Sequence, residues 1–467
     1  MSPLLLLACG MLLVVGSILW LRLHAFLALV LGAYLVALLT PVDALRTYSE
    51  QRLAKGEITE KAAAKFPTKP PAARVADEFG KTCGNLGILI GMAAIIGEAM
   101  LLSGAAESIA STLVRWLGAA RAHWAFFSTS FLLCIPVMLD TVMYLLAPLL
   151  KAVARKTGRD YLLLVLCTVA GGTITHSLVP PTPGPLFVAG ELGVPLGMMI
   201  GMGSAIGLGA ALSGVVFAKW VNRNQTLAVP TEDVSTSPQT DAPRILPPLW
   251  LALIPVVLPV ALIGLDAAFA STLPAGWLGS AIRILGDKDM ALTLGALAAL
   301  LPLTRYAAKG AAGAAISSAL ASGAVIVLII AAGGAFGGAL RQTGIAETFG
   351  AMLGGARGFA LPVVFLITML VRTAQGSATV AMITAAPVAK AFIESGAHHV
   401  HPVYFAIAIG CGSKPFCWMN DAGFWIISRS TGLAEAQTLR TVSPMMALQG
   451  FVGLVLTMIC AWLFPLR

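Results

Sequence analysis

Six ionisable side chains stand inside otherwise apolar runs of this sequence: Glu98, Asp140, His176, Arg372, Lys414 and Asp421. In hydrocarbon each costs about 2.5–3.5 kcal/mol or more unless it is paired or wetted, so each is a functional candidate by default. A buried cation suits a carboxylate ligand, and Arg372, Lys414 and His176 offer three such groups. The residues around them suit hydroxyls: Ser177 and Thr182 follow His176, while Gln375, Gly376, Ser377 and Thr379 follow Arg372, and Ser413 and Asn420 flank Lys414. Small residues of this kind also serve plain helix packing. The carboxylates Asp140, Asp421 and Glu98 can carry a coupled proton or ion, and Asp140 can equally form a structural ion pair with Arg372 or Lys414. The remaining histidines signal less. His24 and His123 read as interface positions, and His398, His399 and His401 as a solvated edge rather than a metal site.

The composition says what kind of scaffold must position these groups. Of 467 residues 58% are hydrophobic and 11% are charged, and the mean hydropathy is +0.88. A soluble domain carries about a quarter charged residues, so a soluble enzyme, a disordered chain and a secreted disulfide scaffold are excluded. Apolar runs long enough to span occur near 4–22, 24–40, 82–102, 122–150, 161–179, 193–218, 247–268, 288–303, 315–340, 360–371, 376–394, 402–417 and 444–465. A run of about 20 residues at 1.5 Å each matches the bilayer core. Several runs are short or interrupted, which predicts about 10 to 12 crossings in an all-α polytopic membrane protein. The segment 41–81 is expected as a solvated loop carrying a surface helix, with Pro67, Pro70 and Pro71 as breakers. Basic residues gather between the runs, at Lys151, Arg155, Lys156 and Arg159 and again at Arg305 and Lys309. The excess of 30 Lys+Arg over 21 Asp+Glu therefore reads as cytoplasmic loop charge and not as a nucleic-acid footprint. The seven cysteines lie mostly within apolar runs without metal-ligand spacing, so neither a metal nor a cofactor is expected. Leu6 to Cys9 resembles a lipoprotein cleavage site, yet no Lys or Arg precedes the run, and a retained first helix is expected.

Matches at one interval point to duplication. Gly97–Glu107 (GEAMLLSGAAE) is echoed about 240 residues later by Gly337–Glu347 (GGALRQTGIAE), and Gly118–Arg121 by Gly354–Arg357. Gly172–Pro185 and Gly410–Phe424 each follow an apolar run and each interrupt it with helix breakers. The chain is therefore divided into a first repeat at 1–222, with helices 4–22 and 24–40, the polar loop 41–81 and a core at 82–220. A polar linker at 223–246 and a second repeat at 247–467 follow. Broken helices survive at membrane depth only where they line a cavity or pack on protein, so paired breaks predict one shared site near the midplane. Topology is in tension with itself. Basic loops at 41–81 and 151–159 demand the same side, whereas inversion demands an odd number of crossings per half, so either 122–150 or 161–179 must be re-entrant.

At these residues the chain resembles the gluconate permease (gluconate:H+ symporter, GntP) family. The resemblance rests on Ser103–Glu107 (SGAAE), the run from His176 to Pro185, Arg372 with Gly376–Ala381, and Gly412-Ser413-Lys414 followed by Asn420-Asp421-x-Gly423-Phe424-Trp425, and it covers residue 80 to the C-terminus. It implies proton-driven transport of sugar acids or related hydroxy or amino acids such as D-serine. It also implies two inverted repeats with re-entrant hairpins and broken helices, and a homodimer in the bacterial inner membrane. Asp140 stands where the family is expected to carry Glu. On this reading His176, Arg372 and Lys414 hold the substrate carboxylate. Ser177, Thr182, Gln375, Gly376, Ser377, Thr379, Ser413 and Asn420 complete the substrate site, and Asp140, Asp421 or Glu98 carries the coupled H+ or Na+. A membrane-embedded lipid-modifying enzyme is the competing class, and no reactive constellation for it is found.

Overall fold

Every backbone N–H and C=O inside a bilayer must be satisfied by the protein itself, so apolar runs of this length fold as helices. The computed structural model describes residues 2–158, 160–224, 245–269, 276–307, 310–345, 347, 348, 360–395 and 400–466, and these contain no strand. The expected pairs Gly354–Arg357 and His398–His399, and most of the linker, lie outside the described residues. The helices before the linker are α1 (Pro3–Leu19), α2 (Ala25–Leu39), α3 (Val42–Ala54), α4 (Glu60–Lys65), α5 (Pro71–Leu102), α6 (Ala105–Leu117), α7 (Ala122–Leu133), α8 (Leu139–Thr157), α9 (Tyr161–Leu178), α10 (Pro183–Leu192) and α11 (Leu196–Asn224). After it come α12 (Leu249–Phe269), α13 (Trp277–Gly286), α14 (Lys288–Tyr306), α15 (Ala311–Arg341), α16 (Ala360–Gln375), α17 (Ala378–Glu394), α18 (Pro402–Gly412), α19 (Ala422–Thr431) and α20 (Glu435–Leu463).

Among the described residues six spans, with α9 and α10 taken together as one, are long and apolar enough to cross a membrane, or seven if α2 and α3, bent by 100°, count as one span. Some of the other apolar runs are cut into shorter pieces. The run 122–150 is divided at Pro136 into α7, whose 12 residues cannot reach across a bilayer, and α8. The region 41–81 departs from the expected loop: α3 and α4 occupy it, and α5 begins at Pro71 instead of near residue 82. Pro71 is tolerated because the first residue of a helix needs no N–H partner.

Packing places two broken helices at the centre. α9 is buried along nearly its whole length, between α7 and α11, and α18 lies between α16 and α20. Small residues let these neighbours approach. A Cβ on Gly171 would stand 2.5 Å from the Phe127 carbonyl oxygen, and one on Gly412 would stand 2.5 Å from that of Phe365. α5 packs on α15 and on α14, α11 on α20, α10 on α17, and α8 on α19. Gly171→Ala is expected to cost about 1–3 kcal/mol by overpacking, read as a lower melting temperature of the detergent-purified protein. Gly201→Ala, whose added methyl meets nothing within 4 Å, should leave the melting temperature unchanged.

Candidate functional site

Two breaks build the site. α9 stops at Leu178 because Pro180 and Pro181 have no N–H to continue it, and α10 restarts with Pro183 in its first turn. α18 stops at Gly412, ahead of Pro415, and Phe416 takes a left-handed φ of 57°. α19 restarts after Asp421, whose Oδ1 accepts the Gly423 N–H at 2.9 Å as an N-cap. α9 crosses α18 closely, since a Cβ on Gly410 would stand 2.5 Å from the Ser177 carbonyl oxygen. Lys414 ties the same crossing, its Nζ donating to the Thr173 carbonyl at 2.7 Å.

Arg372 organises the second break. Its side chain is 2% exposed, its Nε donates to the Ser413 carbonyl at 3.0 Å, and its two Nη groups bond the Gly376 carbonyl and the Asp421 carboxylate. The alternative pairing of Asp140 with Arg372 is therefore not made among the described residues. Asp421 takes that place because it lies in the break that Arg372 faces, and its Oδ2 also accepts from the Cys417 Sγ at 2.8 Å. The turn between α16 and α17 is sewn to the break as well. Asn420 Nδ2 donates to the Thr373 and Ala374 carbonyls at 2.9 and 3.2 Å, and Trp418 Nε1 donates to Thr373 at 3.0 Å. Gly376 sits at φ +79°, and a Cβ there would stand 2.2 Å from the Asn420 carbonyl oxygen. A side chain at that position would be strained and would also push the turn off the break.

Several expected ligand groups have local work. Ser377 caps α17 by accepting the Val380 N–H at 3.3 Å, Thr182 Oγ1 donates to the Val179 carbonyl at 2.7 Å, and Ser413 Oγ donates to Gly410 at 2.7 Å. Thr379 belongs to the packing of α17 on α10, its Cα 3.8 Å from where a Cβ on Gly184 would stand. In contrast, His176 Nδ1, Ser177 Oγ and both amide atoms of Gln375 are buried without a hydrogen-bond partner among the described residues. Each such group costs about 1–3 kcal/mol, so these are the atoms a polar ligand would satisfy. Asp140 is exposed at the surface in the first turn of α8, on the side of Asp421. Glu98 stands apart on α5, lining a cavity of about 130 Å³ with Thr182 and the Pro136–Met138 break.

One buried cluster is not anticipated by the sequence. Arg341 Nη2 meets Glu78 at 3.1 Å, its Nη1 is paired with Glu191, and Lys390 Nζ lies 3.9 Å from Glu191. These side chains come from α15, α5, α10 and α17, and two of them, Arg341 and Glu191, sit at helix ends, where a charge looks like an ordinary interface residue. Lys390, well inside the run 376–394, is the one signal of it in the sequence. For the Arg372–Asp421 pair, Arg372→Gln or Asp421→Asn alone should cost about 3–5 kcal/mol, read by thermal melting, because each leaves an uncompensated buried charge. An Arg372→Met/Asp421→Leu double variant is expected to lose less than the sum of the two single losses.

The geometry can be set beside known proteins. The profile of the GntP family permeases matches residues 64–463. A gluconate permease of Pseudomonas aeruginosa is 33% identical over 388 residues, covering 81% of this chain and 85% of its own length. The low-affinity gluconate transporter of Escherichia coli K12 is 30% identical over 413 residues, covering 84% of this chain and 89% of its own. Among solved structures, MtrF of Neisseria gonorrhoeae, described as one of a class of antimetabolite efflux pumps, superposes with a TM-score of 0.62 at 17% identity and 83% coverage of each chain, a likeness of fold alone. With a family match running from the end of α4 to the end of α20, this multi-pass membrane protein belongs to the GntP permease family.

Proposed function

We propose that this protein is a secondary active transporter that carries a small sugar or hydroxy acid, gluconate or a close relative, together with protons across the bacterial inner membrane. The observation that carries the reading is the crossing of α9 and α18. There the Lys414 ammonium lies just past the end of α18 and the unpartnered polar atoms of His176 and Ser177 lie near the end of α9, while unpartnered Gln375 ends α16 beside the second break. An ammonium suits a carboxylate, and imidazole, hydroxyl and amide groups suit a polyol. Arg372, already engaged on all three sides, holds the site in shape and does not clamp the substrate. The two relatives described above are named for gluconate, which supports the substrate class.

Two repeats, 1–222 and 247–467, support alternating access. The first residues of α8, α10 and α11 (139, 183 and 196) and those of α17, α19 and α20 (378, 422 and 435) are separated by one constant interval. Gly104 and Gly344, after the two longest helices, are both left-handed, as are Gly193 and Gly432 after the two post-break helices. Across the two sets α17 packs on α10 and α8 on α19, as a two-fold relation between repeats requires. The repeats are read as inverted, and the working assembly as a homodimer.

Labelled gluconate should enter proteoliposomes containing the protein when an inward proton gradient is imposed. Absence of gradient-dependent uptake of gluconate or any other hydroxy acid would overturn the reading. Lys414→Met is expected to lower gluconate uptake by about tenfold or more, since a charge-assisted hydrogen bond is worth about 1.5–3 kcal/mol. Lys414→Arg should recover part of that loss.

A further inference from the structure

We propose that Glu98 carries the coupled proton, and that the cavity beside the first break is the chamber in which it is loaded and discharged; the assignment rests on the transport reading above. The cavity, about 130 Å³, has two walls of different origin. One is formed by α5 and α15, which pack along each other; the other is formed by the Pro136–Met138 and Pro181–Pro183 breaks. Glu98 projects from the first wall at the level of both breaks. It is half-buried and makes neither an ion pair nor a hydrogen bond among the described residues. A carboxylate at this depth with no counter-charge is costly when ionised.

Of the other carboxylates of the site, Asp421 is held by partners and Asp140 lies outside the cavity. Asp421 is held by Arg372, by the Cys417 thiol and by the Gly423 N–H, so protonating it would strand the Arg372 charge. Asp140 is exposed in the first turn of α8, where helix N–H groups already face it. No second ionisable group lines the Glu98 cavity among the described residues. Charges on the elements packed against α5 lie elsewhere: Lys288, Asp289 and Arg305 near the ends of α14, Glu107 and Arg115 on α6, Asp266 on α12, and Arg341 with Glu191 in their own cluster.

The cavity supplies what a neutral Glu98 needs. A proton from water adds to one Oε, and the resulting O–H finds acceptors in the hydroxyls of Thr182, Thr141 or Ser322 on the cavity wall. Thr182 already donates its own proton to the Val179 carbonyl, so its oxygen is left to accept. With Glu98 neutral, the break wall can close on α5 and α15 without trapping a charge. On the opposite side the same proton returns to water. Loss of the Glu98 carboxyl should therefore uncouple transport from the proton gradient without abolishing substrate exchange.

The test uses the full chain in proteoliposomes, as wild type, Glu98→Gln and Glu98→Asp, with gluconate as the probe. Gradient-driven accumulation, gluconate counterflow without a gradient, and gluconate-dependent internal acidification are measured together. Glu98→Gln is expected to lose about tenfold or more of accumulation and of acidification while counterflow persists, and Glu98→Asp to restore part of both. Accumulation and acidification at the wild-type level in Glu98→Gln would overturn the assignment, as would loss of counterflow together with accumulation. A wild-type protein that exchanges no gluconate or other sugar acid overturns the transport reading and the assignment with it.

Discussion

A chain that leaves the helix inside a membrane must find partners for its freed backbone groups within the protein, because the lipid offers none. In the second break that duty falls on one side chain. The Arg372 guanidinium takes the Ser413 carbonyl at the end of α18, the Gly376 carbonyl in the turn before α17, and the Asp421 carboxylate that caps α19. Three helix termini are thereby referred to one planar cation. Arginine suits this better than lysine, since its fixed fork of donors can satisfy several acceptors at defined angles. The arrangement leaves Lys414, whose ammonium spends one bond on Thr173, as the buried cation with donors to spare.

The two breaks solve the same problem unequally. Val179 to Thr182 is buried throughout, with proline removing two of the donors that would need partners. The second break is longer and carries exposed Phe416, Trp418, Met419 and Asn420. One break is thus enclosed by protein while the other carries exposed side chains. At the other end of α10 the Arg341 cluster joins α5 and α15 to α10 and α17 through paired charges. Charged groups thus connect the outer helices to the broken ones on one face, while on another face the two are separated by the cavity that holds Glu98.

The membrane fold and the positions of both breaks are legible in the residues themselves. The low charge and the length of the apolar runs dictate membrane helices, because hydrocarbon admits little else. The proline runs and the GTITHSLVPPTPGP and GCGSKPFCWMNDAGF strings locate both breaks, since proline cannot donate and glycine tolerates the turns. Pro71 reads as a breaker but opens α5, because proline stops a helix in its interior and starts one at its first residue, and local sequence does not tell which position it holds. The Arg341 cluster is not legible in this way, because its members are far apart in the chain and meet only when α5, α10, α15 and α17 pack together.

Composition and spacing by themselves determined that the chain lies in a membrane, where its two main helix breaks fall, and some of the charged side chains that stand within apolar runs. Those properties depend on residue type and near neighbours, which the sequence displays directly. Only the tertiary structure decided who partners whom: that Asp421 and not Asp140 neutralises Arg372, that Asn420 and Ser377 are held by backbone, and that Glu98 faces a cavity with no counter-charge among the described residues. Pairing energy falls off within a few ångströms, and that distance is set by how helices tens to hundreds of residues apart come to cross.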